Sequence, residues 1–195
     1  NTIVALLAAG AAEVALVADL DRARELKAAH PGRILLAERG GETVPGSDGG
    51  NSPAHASALV SPGARVILST SAGTRAVHRL TAAAPVLFAS FANAAAVVRF
   101  LRGAPVERVT FLPMGLEARE PALEDDLAAE YLTAALAGVP AGFAAMREQL
   151  LACPGADRLR RLHQDDDLDW CTRLDTVDLV PVIRQGDPPV ATRLG

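Results

Sequence analysis

Short apolar runs alternate with stretches of helical periodicity along this chain. Residues 14–17, 34–37, 66–68, 86–88, 109–112 and 179–183 are runs made mostly of Val, Ile, Leu, Ala and Phe, each of a length that suits a buried strand. Between the first two runs, Leu20, Ala23, Leu26 and Ala29 mark one face of a helix, opened by Asp19 and stopped at Pro31-Gly32. Further helices are expected over residues 92–102 and 121–136, where Leu123, Leu127 and Tyr131 share a face. Two more are expected around 142–152 and 156–162. Such β-α alternation predicts one α/β domain over residues 1–195, with a mostly parallel sheet covered by helices on both faces. The chain opens within an apparent helix, with no strand before it, so a preceding segment is expected.

Composition narrows the function classes. Half of the 195 residues are hydrophobic, but few are aromatic, so the core must be built from many close aliphatic contacts. A net charge of −4 with scattered basic residues gives no footprint for nucleic acid. The apolar run over residues 2–10 is too short to span a bilayer and lacks the basic flank of a signal peptide. A cytoplasmic location follows by elimination. Cys153 and Cys171 have no CxxC spacing and are expected as reduced, buried thiols.

Three clusters could carry chemistry. Ser69-Thr70-Ser71-Ala72-Gly73-Thr74-Arg75 follows a strand and precedes a helical pattern. Its small residues, hydroxyls and backbone N–H groups could cradle an anion, with Arg75 clamping it; the same residues would also make an ordinary helix cap. Residues 38–53 form the least regular stretch, and Glu38, Arg39, Asp48, Asn51 and Ser52 lie within it. Hard oxygen donors suit Mg²⁺, although Gly, Ser, Asp and Asn are also the usual residues of a surface turn. Glu124, Asp125 and Asp126 open a helix, where acids can hold a metal, position a water, or simply complement the helix dipole.

Other features read more plainly. Asp19-Leu20-Asp21 imitates an aspartyl-phosphate motif, but without a supporting lysine Asp19 reads better as a helix cap. His163 and Gln164-Asp165-Asp166-Asp167 read as a solvated acidic turn, not a zinc site. Neither GxxxxGK[ST] nor a helix-opening GxGxxG occurs.

Taken in order, several segments resemble the 2-phosphosulfolactate phosphatase family. They are Glu38-Arg39-Gly40-Gly41, Gly46-Ser47-Asp48-Gly49-Gly50-Asn51-Ser52-Pro53, Leu68-Ser69-Thr70-Ser71-Ala72-Gly73-Thr74-Arg75-Ala76, Ala89-Ser90-Phe91-Ala92-Asn93-Ala94, Leu123-Glu124-Asp125-Asp126-Leu127-Ala128 and Val180-Pro181-Val182. The resemblance implies Mg²⁺-dependent hydrolysis of a small acidic phosphate monoester, with 2-phosphosulfolactate as the archetype. It implies catalytic roles for Arg75, Glu124 and Asp125. Phosphate or substrate would be held by Asn51, Ser52, Thr70, Ser71, Gly73, Thr74 and Asn93, and the metal by Glu38 and Asp48. The sequence departs from the family pattern at Ala72, where many relatives carry Asn, and at Ser47, where relatives tend to carry an aromatic residue. Of the family's opening motif only Asn1-Thr2-Ile3-Val4 resembles the expected tail. A non-catalytic anion-binding protein of the same fold and a phosphatase of unrelated phosphoesters are the alternative readings. Self-association into a homo-oligomer is a further expectation.

Overall fold

The computed structural model describes residues 1–70, 74, 77, 80, 85–116 and 119–194. The chain runs through α1 (Thr2–Ala8), β1 (Glu13–Leu16), α2 (Leu20–Ala29), β2 (Ile34–Arg39), β3 (Glu42–Thr43), α3 (Pro53–Ala58) and β4 (Arg65–Ser69). A 3₁₀ turn (Phe91–Asn93) then leads into α4 (Ala94–Gly103). It is followed by α5 (Leu123–Ala137), α6 (Phe143–Leu151), α7 (Pro154–Arg161), α8 (Asp165–Cys171), β5 (Pro181–Arg184) and β6 (Val190–Arg193).

The six strands form one sheet in the order β3-β2-β4-β1-β6-β5. Its centre is parallel: β4 pairs with β1 on one side and β2 on the other. The outer pairs β2–β3, β1–β6 and β5–β6 are antiparallel. The expected α/β architecture is present, and the parallel part is confined to the middle three strands.

The two-residue period of these strands sorts their side chains to opposite faces. Val14, Leu16, Leu36, Val66 and Leu68 pack on one face with Leu6 and Leu7 of α1 and Ala56 of α3. Leu35, Ile67 and Val17 pack on the other with Ala23 and Leu26 of α2. Being covered on both faces is what makes these strands continuous apolar runs, because no position faces water. Asp19 caps α2 as expected, its carboxylate accepting from the Arg22 N–H at 2.8 Å.

Several expectations are corrected. Residues 109–112 form no strand; Leu112 is 55% exposed, so β-propensity here finds no neighbouring strand to pair with. Residues 86–88 join the sheet only through an isolated bridge from Leu87 to Val182. The stretch 38–53 is irregular only over residues 44–52, because residues 38–43 form a hairpin. Arg39 pairs with Glu42 across Gly40-Gly41, whose φ values of 61° and 87° are those of a two-residue hairpin turn. The chain then descends along β2 and returns, Gly49 bridging to Leu36 in parallel. Finally, the acidic run at 165–167 is not a solvated turn: it is the first turn of α8, and Asp167 is only 2% exposed.

Candidate active site

The carboxyl ends of the three parallel strands converge on one edge of the sheet, the edge at which open α/β folds bind ligands. β4 ends at Ser69, and Thr70 follows, buried. Thr74 closes the turn after it: its hydroxyl donates to the Thr70 carbonyl (2.9 Å) and accepts from the Thr70 N–H (3.3 Å). Both residues are therefore committed to shaping the turn as well as lining it. Ser71, Gly73 and Arg75 lie outside the described residues. Beside the turn, β2 ends at Glu38 and Arg39. Glu38 is buried, and its Oε1 accepts from the Gly41 N–H at 2.6 Å.

A second group of predicted residues gathers around the amino ends of α1, α3, α7 and α8. Thr2 donates its hydroxyl to the Asn51 carbonyl (2.6 Å). Ser52 caps α3, accepting from the His55 N–H (3.0 Å) and donating to Asp167 Oδ1 (2.7 Å). The same carboxyl oxygen accepts from the Ala54 N–H at 3.0 Å. Asp167 was not a sequence candidate. The signal that could have found it is its place three residues after Gln164, inside a helix whose other acids face water.

Glu124, on the first turn of α5, abuts the amino end of α7. Its Oε2 accepts from the Cys153 thiol at 3.8 Å, and a Cβ on Gly155 would fall 2.6 Å from its Oε1. Among the described residues that thiol is its one hydrogen-bond partner, so most of its acceptor capacity is open. Helix α7 links the two groups. It begins at Glu124 and ends where Leu162 and Arg158 press against Gly41, and its eight residues span about 12 Å. The φ of 87° at Gly41 favours glycine, and a Cβ there would lie 2.8 Å from Leu162 Cδ1, which would have to give way.

Three predicted residues have other work. Asn93 is fully buried and its amide is saturated: Oδ1 accepts from the Ser90 N–H and hydroxyl, and Nδ2 donates to the carbonyls of Phe88 and Leu179. No donor is left for a ligand, so it is a knot between the 3₁₀ turn and the approach to β5. Asp125 accepts from the Gly115 N–H (2.7 Å) and fixes the turn before α5. Asp48 accepts from Lys27 Nζ (2.8 Å) and the Leu35 N–H (2.7 Å) at the beginning of β2. Burial raises its pKa, but these hydrogen bonds and the Lys27 charge outweigh that and leave it lowered.

The Mg²⁺ ligand pair implied by the resemblance can be tested on this geometry. Asp48 is held at Leu35 and Glu38 at the far end of the same strand, about 10 Å of β-structure apart. The two do not converge on one ion. Among the described residues no group of three or more His, Cys, Asp or Glu side chains is arranged to hold a metal.

Of the two cysteines expected as buried thiols, Cys153 is buried, whereas Cys171, near this second group, is half-buried. Burial pushes its thiol up to about 11, against the N-terminal ammonium, which lowers it, while Asp167 and Glu124 add to the rise. In a Cys153→Ser background, which retains a capping oxygen for α7, iodoacetamide at pH 8 is expected to label Cys171 about 100-fold more slowly than an exposed thiol. Equal rates in folded and denatured protein would contradict the raised pKa. A separate cleft of about 450 Å³, lined by His30, Arg33, Gly63 and Arg65 among others, opens at the amino end of the sheet, and none of the predicted residues lines it. Among the described residues no helix is long and apolar enough to cross a membrane.

Comparison with known proteins adds a family context. The family model described as 2-phosphosulpholactate phosphatase matches residues 1–186. A protein of Deinococcus radiodurans named probable 2-phosphosulfolactate phosphatase is 34% identical, over 96% of this chain and 84% of its own length. Proteins of the same name from Gloeobacter violaceus and Cyanothece sp. are 33% and 32% identical, over 93% and 95% of this chain and 82% and 85% of their own lengths.

Proposed function

Because the chain belongs to the 2-phosphosulpholactate phosphatase family, we propose that it hydrolyses 2-phosphosulfolactate or a closely similar phosphorylated small acid. The observation that carries this reading is similarity along nearly the whole chain, residues 1–186, to a family and to relatives with that name. Two features of the geometry support it: a hydroxyl-bearing turn at the carboxyl edge of the sheet, and a carboxylate, Glu124, with most of its acceptor capacity open at the other end of α7.

In this reading the phosphoryl group sits beside Thr70, and Arg75 supplies a bidentate cation. Glu124 orients a water. The water oxygen forms a bond to phosphorus as the bond from phosphorus to the substrate's ester oxygen breaks. The attacking water loses a proton and the departing alkoxide gains one, giving inorganic phosphate and the free hydroxy acid. Mg²⁺ belongs to the proposal as the family resemblance implies it, but Glu38 and Asp48 do not fit as its joint ligands, and no step is drawn through it.

The test is initial-rate phosphate release from 2-phosphosulfolactate, phospholactate and an aryl phosphate, each with Mg²⁺ and with EDTA. The expected order places phosphosulfolactate first, with the rate lost in EDTA and restored by Mg²⁺. Full rates in EDTA would remove the metal from the proposal. Preference for the aryl phosphate would remove the sulfonated acid as the substrate class, and binding without turnover would favour an anion-binding protein.

A further inference from the structure

Arg39 is the last residue of β2, and its guanidinium crosses the ends of all three parallel strands. Nη1 donates to the carbonyls of Glu38 (2.6 Å) and Ser69 (3.1 Å). Nη2 donates to Ser69 Oγ (2.9 Å) and to the Ala18 carbonyl (3.3 Å), just beyond β1. All four acceptors are neutral. Among the described residues no carboxylate lies within 4.0 Å of this partly buried guanidinium, and the neighbouring Glu38 turns its Oε1 to the Gly41 N–H instead. The contrast is Arg33 at the other end of the same strand, which is paired with Glu13 at 3.1 Å.

A guanidinium keeps its charge at any ordinary pH, and a partly buried charge is usually compensated by an opposite one nearby. Both terminal nitrogens of Arg39 are already occupied, so it has no free fork with which to grip an anion. What remains is charge, fixed by four hydrogen bonds directly beside Ser69 and the Thr70 turn.

We infer that Arg39 is a positioning residue that acts by charge: it locks the strand ends together and provides the standing positive field that favours a dianion at the Thr70 turn. Field from a rigidly held charge is available without reorganisation when the anion arrives, and it acts over distances at which no hydrogen bond is made. This deepens the proposed function and rests on the Thr70 turn being the phosphate site.

Calorimetric binding of inorganic phosphate at pH 8 separates charge from structure. Arg39→Gln is expected to weaken phosphate about tenfold and to flatten the dependence of affinity on salt concentration. Arg39→Lys keeps the charge but not the four-acceptor geometry, and is expected to stay within about threefold of wild type even where its Tm falls. If Arg39→Gln does not fold, the Arg39→Lys affinity and the salt dependence of the wild type decide the matter. Equal affinity of wild type and Arg39→Gln, equal loss in both variants, or a wild type that binds no phosphate would each overturn the inference. Phosphate release by the wild type, measured in parallel, shows whether the catalytic reading survives that result.

Discussion

Replacing Asp167 by alanine is expected to cost about 3 kcal/mol of folding stability, a large effect for a single polar side chain. Its carboxyl oxygen serves two donors, the Ser52 hydroxyl and the Ala54 N–H, in surroundings where the side chain is 2% exposed. Removing it leaves both donors without this partner and opens a small void, and water reaches the site poorly. Because Ser52 also caps α3, the loss is felt at the helix that connects β2 to β4. For a chain of 195 residues the Tm should fall by roughly 6–12 °C. Asp167→Asn keeps an acceptor oxygen in place and should lose about 1 kcal/mol. Thermal or denaturant unfolding of the two variants checks this. An Asp167→Ala protein within half a degree of wild type would show that the pair contributes nothing.

The second large effect is on rate. Glu124→Gln removes a predicted carboxylate whose hydrogen-bond partner among the described residues is only the Cys153 thiol, at 3.8 Å. The amide is nearly the same size and still accepts a hydrogen bond, so the contact with Cys153 survives and stability should change by less than about 1 kcal/mol. The amide cannot take a proton from water. In the proposed mechanism kcat falls by about 10²–10³ while KM changes little, the signature of an interaction made only in the transition state. Asp125→Asn gives the internal control: its carboxylate is engaged with the Gly115 N–H, so its loss should appear in stability more than in kcat. Steady-state kinetics of both variants distinguish these roles, and an active Glu124→Gln enzyme would move the water-positioning carboxylate elsewhere.

The parts of this structure that local chemistry controls were legible in the sequence. β1, β2 and β4 are buried on both faces, so they stand out as uninterrupted apolar runs, and Asp19 caps α2 through its own i+3 amide. Where the sequence misleads, the deciding partner is distant. Asp167 looks like one more solvated acid, yet its role is fixed by Ser52, 115 residues away. Asn93 stands in a family-like segment that suggests a ligand donor, but the Leu179 carbonyl, 86 residues on, takes the donor it would need. Asp48 and Glu38 share a loop in sequence, and only the descent of that loop along β2 separates them. The strand expected at 109–112 fails for the same reason in reverse: the propensity is present, and the partner strand is not.

The claim beneath all of this is that the anion binds at the carboxyl edge of the parallel strands. At 20.2 kDa the chain suits amide chemical-shift mapping during a titration with inorganic phosphate. The account predicts saturable shifts at Gly41, Thr70 and Thr74, with His30, Arg33, Gly63 and Arg65 unmoved. Shifts confined to that second set would place the anion in the cleft at the amino end of the sheet and contradict the site proposed for catalysis.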